Sequence, residues 1–203
     1  MLPIFPLAGA VLLPRATLPL NIFEPRYLNM IDDALAGDRL IGMVQPIGPG
    51  DPGKPAVAQV GCAGRITSFA ETDDGRYLIT LTGVARFAVR DELPARTPYR
   101  CVTPDWERYG ADLTPPGDAY RVDRENLVRA LRRYVDMHGF QAEWSVIDDA
   151  PPEALIHTLC GLCPFEPREK QMLIEAETLA DRCQMLIALL DMNSAPDVKG
   201  PMQ

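Results

Sequence analysis

The chain has 203 residues, 47% of them hydrophobic and 24% charged, and a net charge of −8. That balance fits one large soluble domain or two small ones, and the acidity argues against a nucleic-acid or anionic-membrane surface, both of which need a basic footprint. Five cysteines at irregular spacing are not a secreted disulfide framework, and no stretch approaches the roughly 20 apolar residues of a membrane span. The apolar N-terminus has no positive leading segment, and prolines interrupt it, so it is not read as a signal peptide. A cytoplasmic protein with free, packed thiols is expected.

Residues 2–7 read as a short buried strand, with Pro3 and Pro6 confining it to an edge or an irregular pairing. Val11-Leu12-Leu13 is a second apolar point, and Leu18 to Ile22 a further extended piece. A helix starts near Glu24-Pro25, because proline suits a first turn where its missing N–H is not needed. Its apolar face is Tyr27, Leu28, Ile31 and Leu35, with Asp32 and Asp33 in water, and it stops at Gly37. Strands follow at 40–44 and 57–69, with Gly61 and Gly64 marking a bulge or a close backbone approach. Asp73-Asp74-Gly75 is a hairpin turn, then come strands at 77–81, 84–89 and 99–102. The region ends in a proline-rich linker at 113–117.

From Asp118 the texture is helical. Leu127, Leu131, Tyr134, Val135 and His138 form one helix face, opposite Arg121, Arg124, Arg129, Arg132 and Arg133. Pro151-Pro152 opens another helix, Pro167 a third, and Thr178 with Asp181 gives a capping-box start to the fourth. The expected organisation is a β subdomain over 1–117 with one early helix, a bundle of about four helices over 118–193, and a flexible tail over 194–203. Strands followed by helices place the chain in the α+β class.

Few residues offer chemistry. Gly48 to Lys54 has the Gly-x4-Gly-Lys spacing of a phosphate-binding loop, but Pro49 and Pro52 remove the N–H groups that would cradle phosphate, and Pro55 replaces the Mg²⁺-binding hydroxyl. His157, Cys160 and Cys163 have ligand types at helical spacing, yet a structural zinc site needs four ligands and no second Cys-x2-Cys exists. The pair Cys160/Cys163 reads as core packing, with metal or redox use as the other reading. No serine sits in a Gly-x-Ser-x-Gly setting. No catalytic residue, metal or cofactor is expected. Phe23-Glu24-Pro25-Arg26-Tyr27 is the one mixed apolar, charged and aromatic cluster on a sharp corner. It either anchors the helix to the sheet or lines a groove for extended apolar peptide.

Several stretches in chain order carry a resemblance. Leu2-Pro3-Ile4-Phe5-Pro6-Leu7, Leu18-Pro19-Leu20-Asn21-Ile22-Phe23-Glu24-Pro25-Arg26-Tyr27, Val60 to Ile66 and Leu81-Thr82-Gly83-Val84-Ala85-Arg86-Phe87 resemble the amino-terminal, substrate-binding domain of Lon proteases. The resemblance implies a PUA-like β pseudo-barrel followed by a helical bundle. With no credible ATPase loop and no Ser-Lys context in these residues, it implies a stand-alone, non-enzymatic module that binds polypeptide, an adaptor or chaperone-like binder. The expected peptide-binding residues are Leu20, Phe23, Arg26 and Tyr27. The rival readings are a small-molecule or RNA-binding PUA-like protein and a cryptic thiol-dependent hydrolase.

Overall fold

The computed structural model describes residues 1–48, 54–115 and 122–194. The phosphate-loop look-alike and the tail therefore fall largely outside the described residues. The chain forms two compact units. One comprises Met1–Pro115 with His157–Glu175, the other the described parts of Pro116–Ile156 and Ala176–Gln203. The expected single cut at residue 117 lies close to the end of the first segment, but residues 157–175 return to the β unit.

The β unit contains β1 (Leu2–Pro6), β2 (Thr17–Ile22), helix α1 (Pro25–Ala36), β3 (Leu40–Val44), β4 (Val60–Glu71), β5 (Tyr77–Glu92) and β6 (Arg100–Asp105). The sheet runs β2-β5-β4-β3-β1-β6, and β6 pairs again with β5. Five strands thus close a ring, and β2 lies outside it on the outer half of β5. Among the described strands only β1 and β3 pair in parallel, joined by the crossover through β2 and α1. Of the two expected settings for β1, an edge or an irregular pairing, the structure has the second. The strand pairs with β6 over Leu2–Ile4 and with β3 over Ile4–Pro6. The stagger gives Pro3 and Pro6 a partner strand on one side each, so neither missing N–H breaks a two-sided ladder.

The two strands expected at 77–81 and 84–89 are one. Gly83 lets it pass where the chain before β2 crosses: a Cβ there would lie 2.0 Å from the Leu13 carbonyl oxygen. Arg15 N–H donates to the Gly83 carbonyl, and Gly83 N–H to that of Ala16. Gly61 works similarly inside the barrel, where a Cβ would meet the Met43 carbonyl at 2.5 Å and the Phe87 ring at 2.9 Å. Phe87 fills that space, packed with Leu2, Ile4, Val44, Val57, Ala63 and Val102.

Beside Phe87, Arg86 is buried and points the other way. Its Nε and Nη2 donate to the two carboxylate oxygens of Asp112 at 2.8 and 2.9 Å, and its backbone N–H also reaches Asp112. Asp112 sits in a 3₁₀ segment, Glu107–Leu113, after the last strand. Nη1 donates to the Ile174 carbonyl at 3.1 Å, near the end of α5 (Pro167–Glu175). The guanidinium lies 4.6 Å from the centre of the Tyr109 ring.

α1 begins at Pro25 and ends at Gly37, as expected, but its buried stripe is Tyr27, Met30, Ile31 and Ala34. Leu28 and Leu35 are half-buried. Asp32 and Asp33 accept hydrogen bonds from the hydroxyls of Tyr77 and Tyr99, so two aromatics tie the helix to the sheet.

The helical unit contains α2 (Arg124–His138), α3 (Trp144–Asp149), the first part of α4 (Pro152–Leu162) and α6 (Leu179–Met192). α2 is capped by Asp123 and closed by left-handed Gly139. His138 is exposed, its ring 4.3 Å from that of Tyr134 on the same helix face and stacked on Phe140. Helix α3 was not expected; it buries none of its side chains and so leaves no apolar stripe to read. Arg124 caps it, donating to the carbonyls of Ile147, Asp148 and Ala150. Arg133 pairs with Asp191, and Arg132 lies over Trp144, so part of the arginine face is internal support. The capping box at Thr178 and Asp181 forms as expected.

Asp112→Ala leaves a buried guanidinium without its carboxylate. It should lower unfolding free energy by about 3–5 kcal/mol. Urea denaturation followed by circular dichroism measures this, and a loss under about 1 kcal/mol would show that the pair does not hold the unit together.

Candidate functional site

The corner between β2 and α1 carries the four sequence-derived candidates, and the structure sorts them into three environments. Tyr27 is only 6% exposed, its ring 4.3 Å from that of Phe5, and burial pushes its hydroxyl pKa upward. It is an anchor for α1. Arg26 is half-exposed, bonded to Glu24 at 2.9 Å and placed 4.6 Å over the Tyr27 ring. Phe23 is 62% exposed, with the Arg76 guanidinium 6.0 Å away. Leu20 is half-buried in β2.

Leu20 and Phe69 both lie opposite Ile79, in strands on either side of it, so the three side chains share one sheet face. In the next row Ile22 lies opposite Tyr77, whose ring meets Phe69 edge-on at 4.9 Å. Phe69 is 42% exposed. The result is an apolar patch of Leu20, Phe69, Ile79 and Tyr77 where β4, β5 and β2 extend beyond the ring, with Phe23 on the residue that follows β2 and Arg76 as its neighbour. Sequence reading missed Phe69, Tyr77 and Arg76. Counting back across the strands from the Asp-Gly turn would have paired Phe69 with Ile79 and Glu71 with Tyr77.

Pro19 lies opposite Thr80 in β2 and has no N–H to offer a further strand. This weakens the backbone edge as a docking mode and leaves side-chain contact as the stronger one.

Arg26 also lines a cleft of about 550 Å³ with Lys54, Arg96, Arg100, Glu92 and the turn 93–98. Arg100 makes a two-pronged bond to Glu92 at 3.0 and 2.7 Å and donates to the Pro55 carbonyl. Lys54 reaches the same carboxylate at 2.9 Å. The Arg100 bonds hold the Glu92 pKa below the ordinary range, with Lys54 adding to the effect.

The Cys/His cluster is core. His157 Nδ1–H donates to the Pro14 carbonyl at 3.1 Å, and Cys160 and Cys163 are buried. Burial pushes Cys163 up to about 11 despite the nearby Lys170 ammonium. Lys170 is itself buried and donates to the carbonyls of Gly9 and Gly161. In the helical unit, burial pushes Cys183 up to about 11 as well. Among the described residues no three His, Cys, Asp or Glu side chains are placed to share a metal ion. No helix among them is long and apolar enough to cross a membrane.

A family model described as the ATP-dependent protease La (LON) substrate-binding domain matches residues 1–192. The chain belongs to this family. It is similar to Lon protease 2 of Myxococcus xanthus, with 26% identity over 194 residues, 94% of this chain and 23% of that one. It is 34% identical over 100 residues to Lon protease of Flavobacterium johnsoniae, 48% of this chain and 12% of that one. The chain therefore spans a quarter or less of these relatives' length. Among solved structures, the Lon N-terminal domain protein from Xanthomonas campestris aligns over 92% of this chain and 96% of its own with a TM-score of 0.63 and 24% identity. The N-terminal domain of a Mycobacterium avium complex Lon protease aligns over 93% and 97% with a TM-score of 0.64 and 16% identity. These likenesses establish the expected α+β fold of a β barrel with helices.

Two measurements separate anchor from surface. Tyr27→Ala should cost about 3–5 kcal/mol of stability and Phe23→Ala less than about 0.5, by chemical denaturation. Burial holds the protons of Cys163 and Cys183 more tightly in the folded than in the unfolded chain. Both thiols therefore favour folding below about pH 9, an advantage lost as pH rises towards about 11. At about pH 8, alkylation followed by mass spectrometry should label these two at least about tenfold more slowly in the native protein than in denaturant.

Proposed function

We propose that this chain is a non-enzymatic polypeptide-recognition module that holds exposed apolar side chains of its client against the tip formed by Leu20, Phe23, Phe69 and Tyr77. The observation that carries the reading is Phe23, a large aromatic left 62% exposed on a corner that buried Tyr27 and Pro25 hold rigid. An aromatic fixed on a rigid corner loses little conformational freedom on binding, which is how aromatic anchors come to dominate interfaces. Membership of a family described by substrate binding supports the same reading. Arg26 borders the tip, and Tyr27 serves it indirectly as the anchor of the corner. All five cysteines are buried, and burial holds the protons of Cys163 and Cys183 to high pH, which counts against a thiol hydrolase.

Removing one buried aromatic contact costs about 1.5–3 kcal/mol, which is roughly tenfold or more in affinity. Fluorescence anisotropy with a labelled, permanently unfolded apolar peptide tests this. Phe23→Asp and Phe69→Asp should each weaken binding by about tenfold or more with the melting temperature nearly unchanged. Wild-type affinity in both variants would sink the assignment of the tip.

A further inference from the structure

We propose that the cleft lined by Arg26, Lys54, Arg96 and Arg100 takes the carboxylates of an acidic peptide segment, so that the preferred client carries acidic residues beside its apolar ones. The inference rests on the polypeptide reading above and adds a charge class to it.

The chain is acidic overall, with 20 Lys and Arg against 28 Asp and Glu. Yet four cationic side chains from four separate segments converge on this one cleft: the first turn of α1, the residue before Pro55, the turn between β5 and β6, and β6 itself. Among the described lining residues Glu92 is the sole carboxylate, while Glu24 pairs with Arg26 and Asp33 accepts from the Tyr99 hydroxyl. Four cations against these three carboxylates leave the concave wall net positive, which favours an anion there.

The chemistry already present indicates which anion fits. Arg100 grips Glu92 with two parallel bonds, the geometry in which a planar guanidinium recognises a carboxylate, and is fixed from behind by the Pro55 carbonyl. Lys54 meets the same carboxylate. Arg96 is exposed at the mouth, on a turn bracketed by Pro94 and Pro98 that limits its backbone freedom. Arg26 is half-exposed. The volume suits one or two side chains rather than a polymer track. Four cations in a chain of net charge −8 fall short of the extended basic stripe a nucleic acid needs. Arg26 also connects cleft and tip, because it lies three residues after Phe23 on the same corner, so one extended peptide can engage both.

The test uses labelled peptides of about 15 residues that share one apolar core and differ in their flanks: acidic, serine or lysine. A fourth peptide keeps the acidic flanks without the core, and a single-stranded RNA oligonucleotide of equal charge completes the set. Binding is read by anisotropy at low and high salt on the wild type, on Phe23→Asp and on the double variant Arg26→Gln/Arg96→Gln. Both arginines are at least partly exposed, so the variant should fold, which circular dichroism checks. At low salt the acidic-flanked peptide should bind about tenfold tighter than the serine-flanked one, with the gap closing at high salt. The double variant should erase that gap. Equal affinity for acidic and serine flanks overturns the proposal, as does a gap that survives in the double variant or tighter binding of RNA than of the acidic peptide. If the core-less acidic peptide binds while Phe23→Asp has no effect, the cleft stands and the apolar tip fails. The reverse pattern fails the cleft alone.

Discussion

Removing a guanidinium from water costs several kcal/mol unless fixed acceptors replace its hydration, so a buried arginine dictates what must be built around it. Arg86 makes that demand at the centre of β5, and its acceptors come from two remote segments: the carboxylate of Asp112 in the 3₁₀ turn and the carbonyl of Ile174 in α5. The demand explains why residues 157–175 belong with the barrel although they follow some 40 residues of helical sequence. A barrel strand, a turn and a late helix share one electrostatic solution, and none of the three satisfies it alone.

The barrel closes around a second constraint, which is steric. Phe87 points into the ring while Arg86 points out, so one dipeptide supplies both the core filler and the buried charge. Glycines at 42 and 61 leave room for the Phe87 ring, and Gly83 leaves room for the chain that leads to β2. β2 is thereby held on the outside of the ring against the far half of β5, and the β2–α1 corner projects from a rigid base. The exposed Phe23 and the cationic cleft are consequences of that base.

The two surfaces have different physics and complement each other. Apolar contact at the tip is non-directional and tolerates many partners. On the proposed reading, charge in the cleft would select among them and speed encounter more than it adds affinity. A module that accepts varied polypeptide while refusing most of it would gain from having the two side by side.

Much of this was legible from residue order alone. The prolines and glycines announced where chain direction changes, Thr178 and Asp181 announced a helix start, and the stretch from Leu18 to Tyr27 carried a family resemblance, because caps, turns and apolar period are local effects. What lay beyond the sequence was anything set by contact between distant residues. Nothing local to Arg86 names Asp112, and nothing near Phe23 names Phe69 or Arg76. Tyr27 and Phe23 look alike on paper, yet packing against Phe5 buries the first and leaves the second in water. The fold class and most elements were decided by local chemistry. The burial of Tyr27, the closure of the ring and the convergence of Arg26, Lys54, Arg96 and Arg100 were decided only in three dimensions, where sequence separation no longer governs who meets whom.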